Sequence, residues 1–400
     1  MWNIVFLGLI SFFMDVSTEM VYPLIPVYLT TVFGATPVLV GMIEGIAESL
    51  ASLLKVWSGY LSDRFRKKKA IAFVGYSTGL LYKVALLLAG SWGGILAARV
   101  VDRFGKGIRT APRDVMVSES AVPGKEGMSF GLHKALDMAG ASLGILLAYF
   151  LISAAPTPAD YRNIFLWSAV PAVLALLMFV FVREKKHHEK RAPRAPISLA
   201  AFREGGRRID GRLKLYLAVA FLFTLGNSSN AFLLLRAKNL GFDDRTVILL
   251  YFLYNITAAL LSIPAGRRSD KVGRKRVLVV GYLIFSIVYA GFAIVSHPAI
   301  LVALFILYGA YTALIAGVER AFIAEISPPD LKGTMLGMHS TLVGIALFPA
   351  SAIAGLLWNQ IGAFAPFTLG AILSLAAAGL LFFFLRGPGR HGEIVNEEPK

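Results

Sequence analysis

Gly59-Tyr60-Leu61-Ser62-Asp63-Arg64-Phe65-Arg66-Lys67-Lys68-Lys69 returns later in the chain as Gly266-Arg267-Arg268-Ser269-Asp270-Lys271-Val272-Gly273-Arg274-Lys275-Arg276. The two stretches lie 207 positions apart (266 less 59), and each is a basic hinge between long apolar runs. Two further correspondences keep the register. Arg113-Asp114-Val115-Met116 matches Arg320-Ala321-Phe322-Ile323 at the same offset, and Gly131-Leu132-His133 matches Gly337-Met338-His339 at 206. The chain is therefore a tandem repeat. Parallel repeats of this kind place a binding site between the halves, near the bilayer midplane.

The composition says which solvent surrounds the repeat. Of 400 residues, 56% are hydrophobic and only 16% charged, with a mean hydropathy of +0.67. A water-soluble chain this apolar would expose large adhesive patches, so most of it faces lipid. Lys+Arg number 40 against 24 Asp+Glu, a net +16. The excess sits in short loops, as expected beside an anionic cytoplasmic leaflet, and not in a nucleic-acid face. There are 0 cysteines, which excludes disulfides, thiolate metal sites and cysteine nucleophiles. Trp2 already begins an apolar run with no small-residue cleavage site after it, so no cleavable signal peptide is expected.

About 20 apolar residues cross a bilayer as a helix. On that ruler spans fall near 2–33, 37–61, 70–90, 92–115, 127–154 and 162–182, then near 213–236, 244–265, 276–296, 298–325, 332–358 and 361–386. The expected fold is an all-α membrane protein: 12 transmembrane helices in two pseudo-symmetric six-helix bundles. The expected divisions are an N-terminal bundle (1–182), a basic cytoplasmic linker (183–212), a C-terminal bundle (213–386) and a disordered cytoplasmic tail (387–400). Even-numbered loops carry the Lys/Arg, which places them and both termini in the cytoplasm of a multi-pass plasma (inner) membrane protein. The linker includes His187-His188, a weak metal-binding possibility within a solvated charge run.

At this point the residues carry a resemblance. Gly59–Lys69 and Gly266–Arg276 resemble the loop motif of the major facilitator superfamily, Gly-x-x-x-Asp-Arg/Lys-x-Gly-Arg-Lys/Arg. The second copy keeps the inner glycine as Gly273, and the first has Arg66 there. Arg99-x-x-x-Arg103-x-Gly105-x-Gly107 is similar to the family's fourth-helix motif, and Pro23-Leu24-Ile25-Pro26 to the proline pair of its 12-helix drug/proton antiporter branch. That branch carries a Gly-Pro motif in span 5, where this chain has Gly140-x-x-x-Gly144 and no proline. The spacing of those glycines suits close helix approach. The resemblance implies a conformational lock at Gly59, Asp63, Arg64, Arg113, Gly266, Asp270 and Gly273. On charge alone, Asp63 is a partner for Arg109 or Arg113.

A charge at the centre of a spanning helix costs roughly 2.5–3.5 kcal/mol on insertion scales. Residues 15–137 hold many. Asp15 and Glu19 stand one turn apart in span 1; Glu44 and Glu48 do the same in span 2, with Lys55 on that face. Arg99, Asp102, Arg103 and Lys106 crowd span 4, and His133, Lys134 and Asp137 lie in span 5. Such residues belong around an interior cavity. Asp15, Glu19, Glu48 and Asp137 are the candidate proton carriers, since burial favours a protonated carboxylate. Static pairs such as Arg99 with Asp102 or Lys134 with Asp137 are the plainer alternative. Arg99, Arg103, His133, Tyr22, Asn227, Asn230, Tyr254 and Tyr311 are the candidate cavity lining. His133 and His339 occupy matched positions and titrate near neutrality. Glu319 and Arg320 are neighbours in sequence and need separate partners.

No P-loop is present, because Gly105-Lys106-Gly107 lacks its spacing, and no hydrolase or metalloprotease motif occurs. No enzyme activity, ATP coupling, cofactor or nucleic-acid partner is expected. The expected function is proton-coupled efflux of a small amphipathic organic compound by alternating access, carried out by a monomeric antiporter. One alternative is export of a metal ion or chelate through His133 and Asp137. Another is uptake of an organic anion held by Arg99 and Arg103. A non-transporting receptor or scaffold is the alternative of a different class.

Overall fold

The computed structural model describes residues 2–65, 68–120, 126–153, 155–184, 211–295, 297–327 and 332–385; side chains at 55–65, 126–131, 316, 324 and 332–334 are also outside the description. Among the described residues every regular element is helical. The first half comprises α1 (Trp2–Glu19), α2 (Leu24–Phe33), α3 (Pro37–Phe65), α4 (Lys68–Leu88), α5 (Trp92–Ser120), α6 (Glu126–Leu151) and α7 (Pro158–Met178), the last running into a 3-10 turn at Phe179–Phe181. The second comprises α8 (Gly211–Gly226), α9 (Ala231–Asn239), α10 (Asp244–Val272), α11 (Arg274–Ile294), α12 (Pro298–Ala316), α13 (Val318–Ile326), α14 (Lys332–Gln360) and α15 (Ala365–Phe384). A helix satisfies its own backbone in a solvent that cannot, which is why lipid-facing sequence of this length folds this way.

Among the described residues, eleven of the twelve expected spans are long and apolar enough to cross a bilayer. The exception is α5, which has 29 residues but is interrupted by Arg99, Asp102, Arg103, Lys106, Arg109 and Arg113. At 1.5 Å per residue its length of roughly 43 Å is ample. It can sit in the membrane because Arg99, Asp102, Arg103 and Arg109 are all buried within protein.

Three spans are broken, which the sequence reading treats as continuous. Span 1 leaves the α-helix at 20–23 and span 7 at 227–230, again 207 apart (227 less 20). In the first, Pro23 and Pro26 have no N–H to offer the carbonyls of Glu19 and Tyr22. In the second, Ser229 Oγ takes the Ala231 N–H at 3.3 Å and the Ser229 N–H goes to Ser351 Oγ at 3.2 Å. Local side-chain bonds thus replace the helical ladder. Span 10 breaks at Gly317, between α12 and α13.

Helix packing relies on missing side chains at two seams. Gly140 and Gly144 bring α6 onto α1, where a Cβ on Gly144 would stand 2.5 Å from the Val16 carbonyl oxygen. Between the halves, Gly41 of α3 lies against the Ser351 carbonyl, and a Cβ on Gly355 of α14 would meet the Pro37 oxygen at 2.7 Å. Polar contacts continue this second seam, with Ser49 Oγ donating to the Gly344 carbonyl. The halves therefore join from mid-membrane to the end of the molecule opposite the chain's first residue.

Candidate functional site

Arg99 is the centre of the buried charge. It is fully enclosed, with Nη2 at 2.5 Å from Glu44 Oε2 and Nη1 at 4.0 Å from Asp102 Oδ2. Arg103 lies one turn on, 3.0 Å from Glu48 Oε1 and 3.6 Å from Asp102 Oδ2. Tyr22, at the break of span 1, places its ring 5.1 Å from the Arg99 guanidinium and 5.6 Å from that of Arg103. Its π face lowers the cost of holding two cations side by side. Arg99 is therefore a sealed, charge-matched group and does not present itself to an open space.

The candidate proton carriers gather one layer further along α1. Asp15 has Asp137, Arg109, Lys106 and Glu19 as its charged neighbours. Glu19 has Lys106, Arg103 and Arg99. Glu19 also accepts a hydrogen bond from Tyr251 Oη of α10 at 3.2 Å, so it reaches across into the second half. Three of the four sequence-derived carboxylates thus share one polar centre, and Glu48 is tied to Arg103. Asp137 departs from the expected pairing with Lys134. His133 Nδ1 lies 3.7 Å from it, and Lys134 is exposed. The geometry is helical: position i+4 points back over the same face and position i+3 is turned aside here.

His133 is buried behind this layer. Its Nε2 is 3.0 Å from Ser11 Oγ, which also pairs with Tyr76 Oη at 2.9 Å and takes a bond from Arg113 Nη1 at 3.4 Å. Among the described residues, no group of three or more His, Asp or Glu side chains could hold a metal ion, so His133 and Asp137 lack a third ligand. His187-His188 lies outside the described residues.

Of the loop motif, Gly59, Asp63 and Arg64 fall on the last turns of α3, outside the described side chains. Among the described side chains Arg113 pairs with Asp114 at 2.9 Å. Arg109 stacks over the Tyr76 ring at 4.5 Å. In the second copy Gly273 has φ +94°, the left-handed region that glycine tolerates, and it turns α10 into α11. Arg274 just beyond it bonds Asp270 at 3.4 Å and Glu325 at 2.7 Å. These ion pairs tie α10, α11 and α13 together inside one half.

The second half faces the charges with a wall of phenols and amides. Tyr308 Oη donates to Asn230 Oδ1 at 2.8 Å, and Asn230 Nδ2 donates to Tyr254 Oη at 3.4 Å. Asn227 Nδ2 bonds Tyr311 Oη at 3.1 Å. Rings step from Tyr22 to Tyr251 (5.7 Å), Tyr254 (5.5 Å), Tyr308 (5.1 Å) and Tyr311 (5.3 Å), forming one aromatic path across the interface. Both candidate asparagines belong to the broken turn 227–230.

Lys83 of α4 escaped the sequence reading. It is fully buried, with Nζ 4.4 Å from the centroid of the Tyr82 ring and Asp102 among its charged neighbours. The signal was present, since a lysine interrupts an otherwise apolar span. Ser11 and Tyr76 gave no such signal, because polar groups of their size are common in spanning helices.

Two related six-helix halves closed over buried charge define a membrane transporter, not an enzyme. The chain belongs to the Major Facilitator Superfamily, whose model matches residues 7–234 and 215–400. An uncharacterised MFS-type transporter of Methanocaldococcus jannaschii is 39% identical over 387 residues, covering 95% of this chain and 94% of that protein. The fosmidomycin resistance protein of Escherichia coli is 25% identical over 384 residues, with 91% and 87% covered. Among solved structures, a nucleoside transporter superposes with a TM-score of 0.77 at 13% identity, covering 95% of this chain and 98% of that one. A D-xylose–proton symporter superposes at 0.74 and 19% identity, covering 96% and 97%. At such identities the superpositions speak for the fold alone.

Proposed function

We propose that this transporter exports a small amphipathic organic compound in exchange for protons, from a multi-pass position in the inner membrane with both termini cytoplasmic. The observation that carries the reading is the Tyr251–Glu19 hydrogen bond across the two halves. An ionised Glu19 accepts it as a charge-assisted bond, and a protonated Glu19 accepts it only as a weaker neutral one. The proton on Glu19 therefore changes how firmly the halves are held together on this layer. Asp15, one turn away, has the cation Lys106 in common with Glu19 and Arg109 as a further charged neighbour.

The substrate side of the reading rests on the aromatic path from Tyr22 to Tyr311 with Asn227 and Asn230 beside it. These surfaces suit a compound with an apolar body and a few polar groups. Similarity to a protein named for fosmidomycin resistance agrees with export. With the halves joined at the end opposite the first residue, Asp15 and Glu19 are reached in this reading from the terminal side. Rocking about the centre then presents the site to the other face.

The test is reconstitution in liposomes with an imposed pH gradient and a panel of drugs, divalent metals and organic anions. Gradient-driven flux of a drug is expected, falling to the level of empty liposomes in Glu19→Gln and Asp15→Asn. Flux indifferent to the gradient would overturn the coupling. Wild-type coupling in both variants would overturn the residue assignment, and metal flux alone would replace the substrate class.

A further inference from the structure

The second half contains one buried carboxylate that the mechanism above leaves unused. Glu319 sits in the first turn of α13, directly after the break at Gly317. Its Oε1 is 3.5 Å from His339 Nε2 of α14. Tyr216 Oη of α8 donates to it at 3.2 Å and Tyr282 Oη of α11 at 3.5 Å. The Tyr216 and His339 rings lie nearly parallel, 6.2 Å apart. Side-chain exposure is 9% for His339 and 19% for Glu319, so the carboxylate keeps a narrow opening to its surroundings.

The arrangement is half of a symmetric pair. His339 is the repeat mate of His133, and Tyr282 is the mate of Tyr76, both at an offset of 206 (339 less 133, 282 less 76). In the first half the histidine and tyrosine meet through Ser11, and Asp137 of the same helix supplies the carboxylate. In the second half a different helix, α13, places its carboxylate directly between them. Each half has therefore assembled an imidazole, a phenol and a carboxylate at the same depth by separate routes.

The charges around Glu319 can be named element by element. From α8 there is Tyr216, from α11 Tyr282, from α12 Tyr311, and from α14 His339. The next charges are Arg274 of α11, already bonded to Asp270 of α10 and Glu325, and the exposed Arg320. Among the described residues no arginine or lysine forms an ion pair with Glu319. A neutral imidazole beside an ionised carboxylate leaves one uncompensated negative charge in a low-dielectric setting, which is costly. One added proton converts this to a hydrogen-bonded pair of zero net charge, shared between Oε1 and Nε2. The carboxylate sits in the first turn of α13 and takes its two hydrogen bonds from phenols.

We infer that Glu319 and His339 form a second proton-binding site, in the C-terminal half, which loads and unloads one proton in the transport cycle. The inference rests on the proton coupling proposed above. The N-terminal carboxylates then act as one of two proton stations, and each half carries its own.

The test needs no substrate. Infrared pH-difference spectra of the purified protein in lipid films report the carbonyl stretch of protonated carboxylic acids. A titrating component is expected in the wild-type protein, lost in Glu319→Gln and retained in the Asp15→Asn/Glu19→Gln double variant. His339→Gln and Tyr282→Phe keep the carboxylate, and each is expected to shift the midpoint of that component. Superimposable spectra for wild type and Glu319→Gln overturn the proposal. If Glu319→Gln does not fold, unchanged midpoints in both other variants overturn it. Loss of gradient-driven flux in the N-terminal variants, together with a Glu319→Gln spectrum superimposable on that of the wild type, sinks this site alone. Retained flux in those variants sinks the earlier assignment instead.

Discussion

Glu44 Oε2 lies 2.5 Å from Arg99 Nη2, and the same carboxylate oxygen is 3.5 Å from Ser229 Oγ of the other half. An ion pair that neutralises the most enclosed arginine of the first half thus also touches the broken turn of span 7. Removing one member of a buried pair costs about 3–5 kcal/mol because the other charge is left alone. Glu44→Gln and Arg99→Met are each expected to lower the thermal unfolding midpoint strongly in detergent. The double variant should recover part of the loss. A double variant as unstable as the sum of the singles would show that the pair is not one unit.

At the far end, Tyr161 of α7 donates to Asp244 of α10, which is also paired with Lys238 of α9. All three elements approach where the halves join, and Tyr161 and Asp244 are buried. Tyr161→Phe keeps the ring packed on Tyr28, 5.0 Å away, and deletes only the bond. The expected outcome is faster modification by a thiol reagent of a cysteine introduced at Thr31, with the fold intact. An unchanged labelling rate would mean that the bond does not hold this end closed.

The seam between α3 and α14 tolerates no side chain at Gly355. Overpacking of this sort costs about 1–3 kcal/mol. Gly355→Val is expected to separate the helices at Pro37 and Val38 and shift the population toward the opposite-facing form. Distances between spin labels on α3 and α14 would lengthen. Wild-type distances in the variant would show that the seam adapts locally.

Asp243, in the loop before span 8, caps α10 by accepting the Thr246 N–H at 3.0 Å. That hydrogen bonding holds its carboxyl below the usual carboxylate range. A carboxylate whose folded-state value is depressed stabilises the fold above its unfolded value and loses that contribution as pH falls through the folded one. Asp243→Ala should therefore cost about 0.5–1 kcal/mol at neutral pH, discounted for exposure. The difference from wild type should begin to shrink near about pH 4 and vanish as pH falls through the lower folded-state value. A gap that persists at low pH would assign the effect to something other than the charge.

The duplicated hinge, the spans and the resemblance of the loop motifs were legible because each rests on local or strictly repeated residues. The span limits agree closely, with Lys68–Leu88 found where 70–90 was read. The polar centre was legible only as a list. Asp15, Glu19 and Asp137 do converge, yet Asp137 faces His133 in place of Lys134, since the choice between i+3 and i+4 depends on which helix covers the face. The expected pairing of Asp63 with Arg109 or Arg113 lies outside the described side chains, and within them Arg113 meets its neighbour Asp114.

What the amino-acid order determined was the list of apolar segments and their repetition, because lipid demands about 20 consecutive apolar residues wherever a helix crosses. It also showed that the charges in the N-terminal half must be covered. Which charge covers which was decided by tertiary packing, since Glu44 and Arg99, Glu19 and Tyr251, and Glu319 and His339 all lie on different helices. So were the paired breaks in spans 1 and 7. A proline hints at the first, but the second forms because Ser351 of another helix accepts the freed Ser229 N–H. Local sequence sets which groups need partners, and only the juxtaposition of distant helices supplies them.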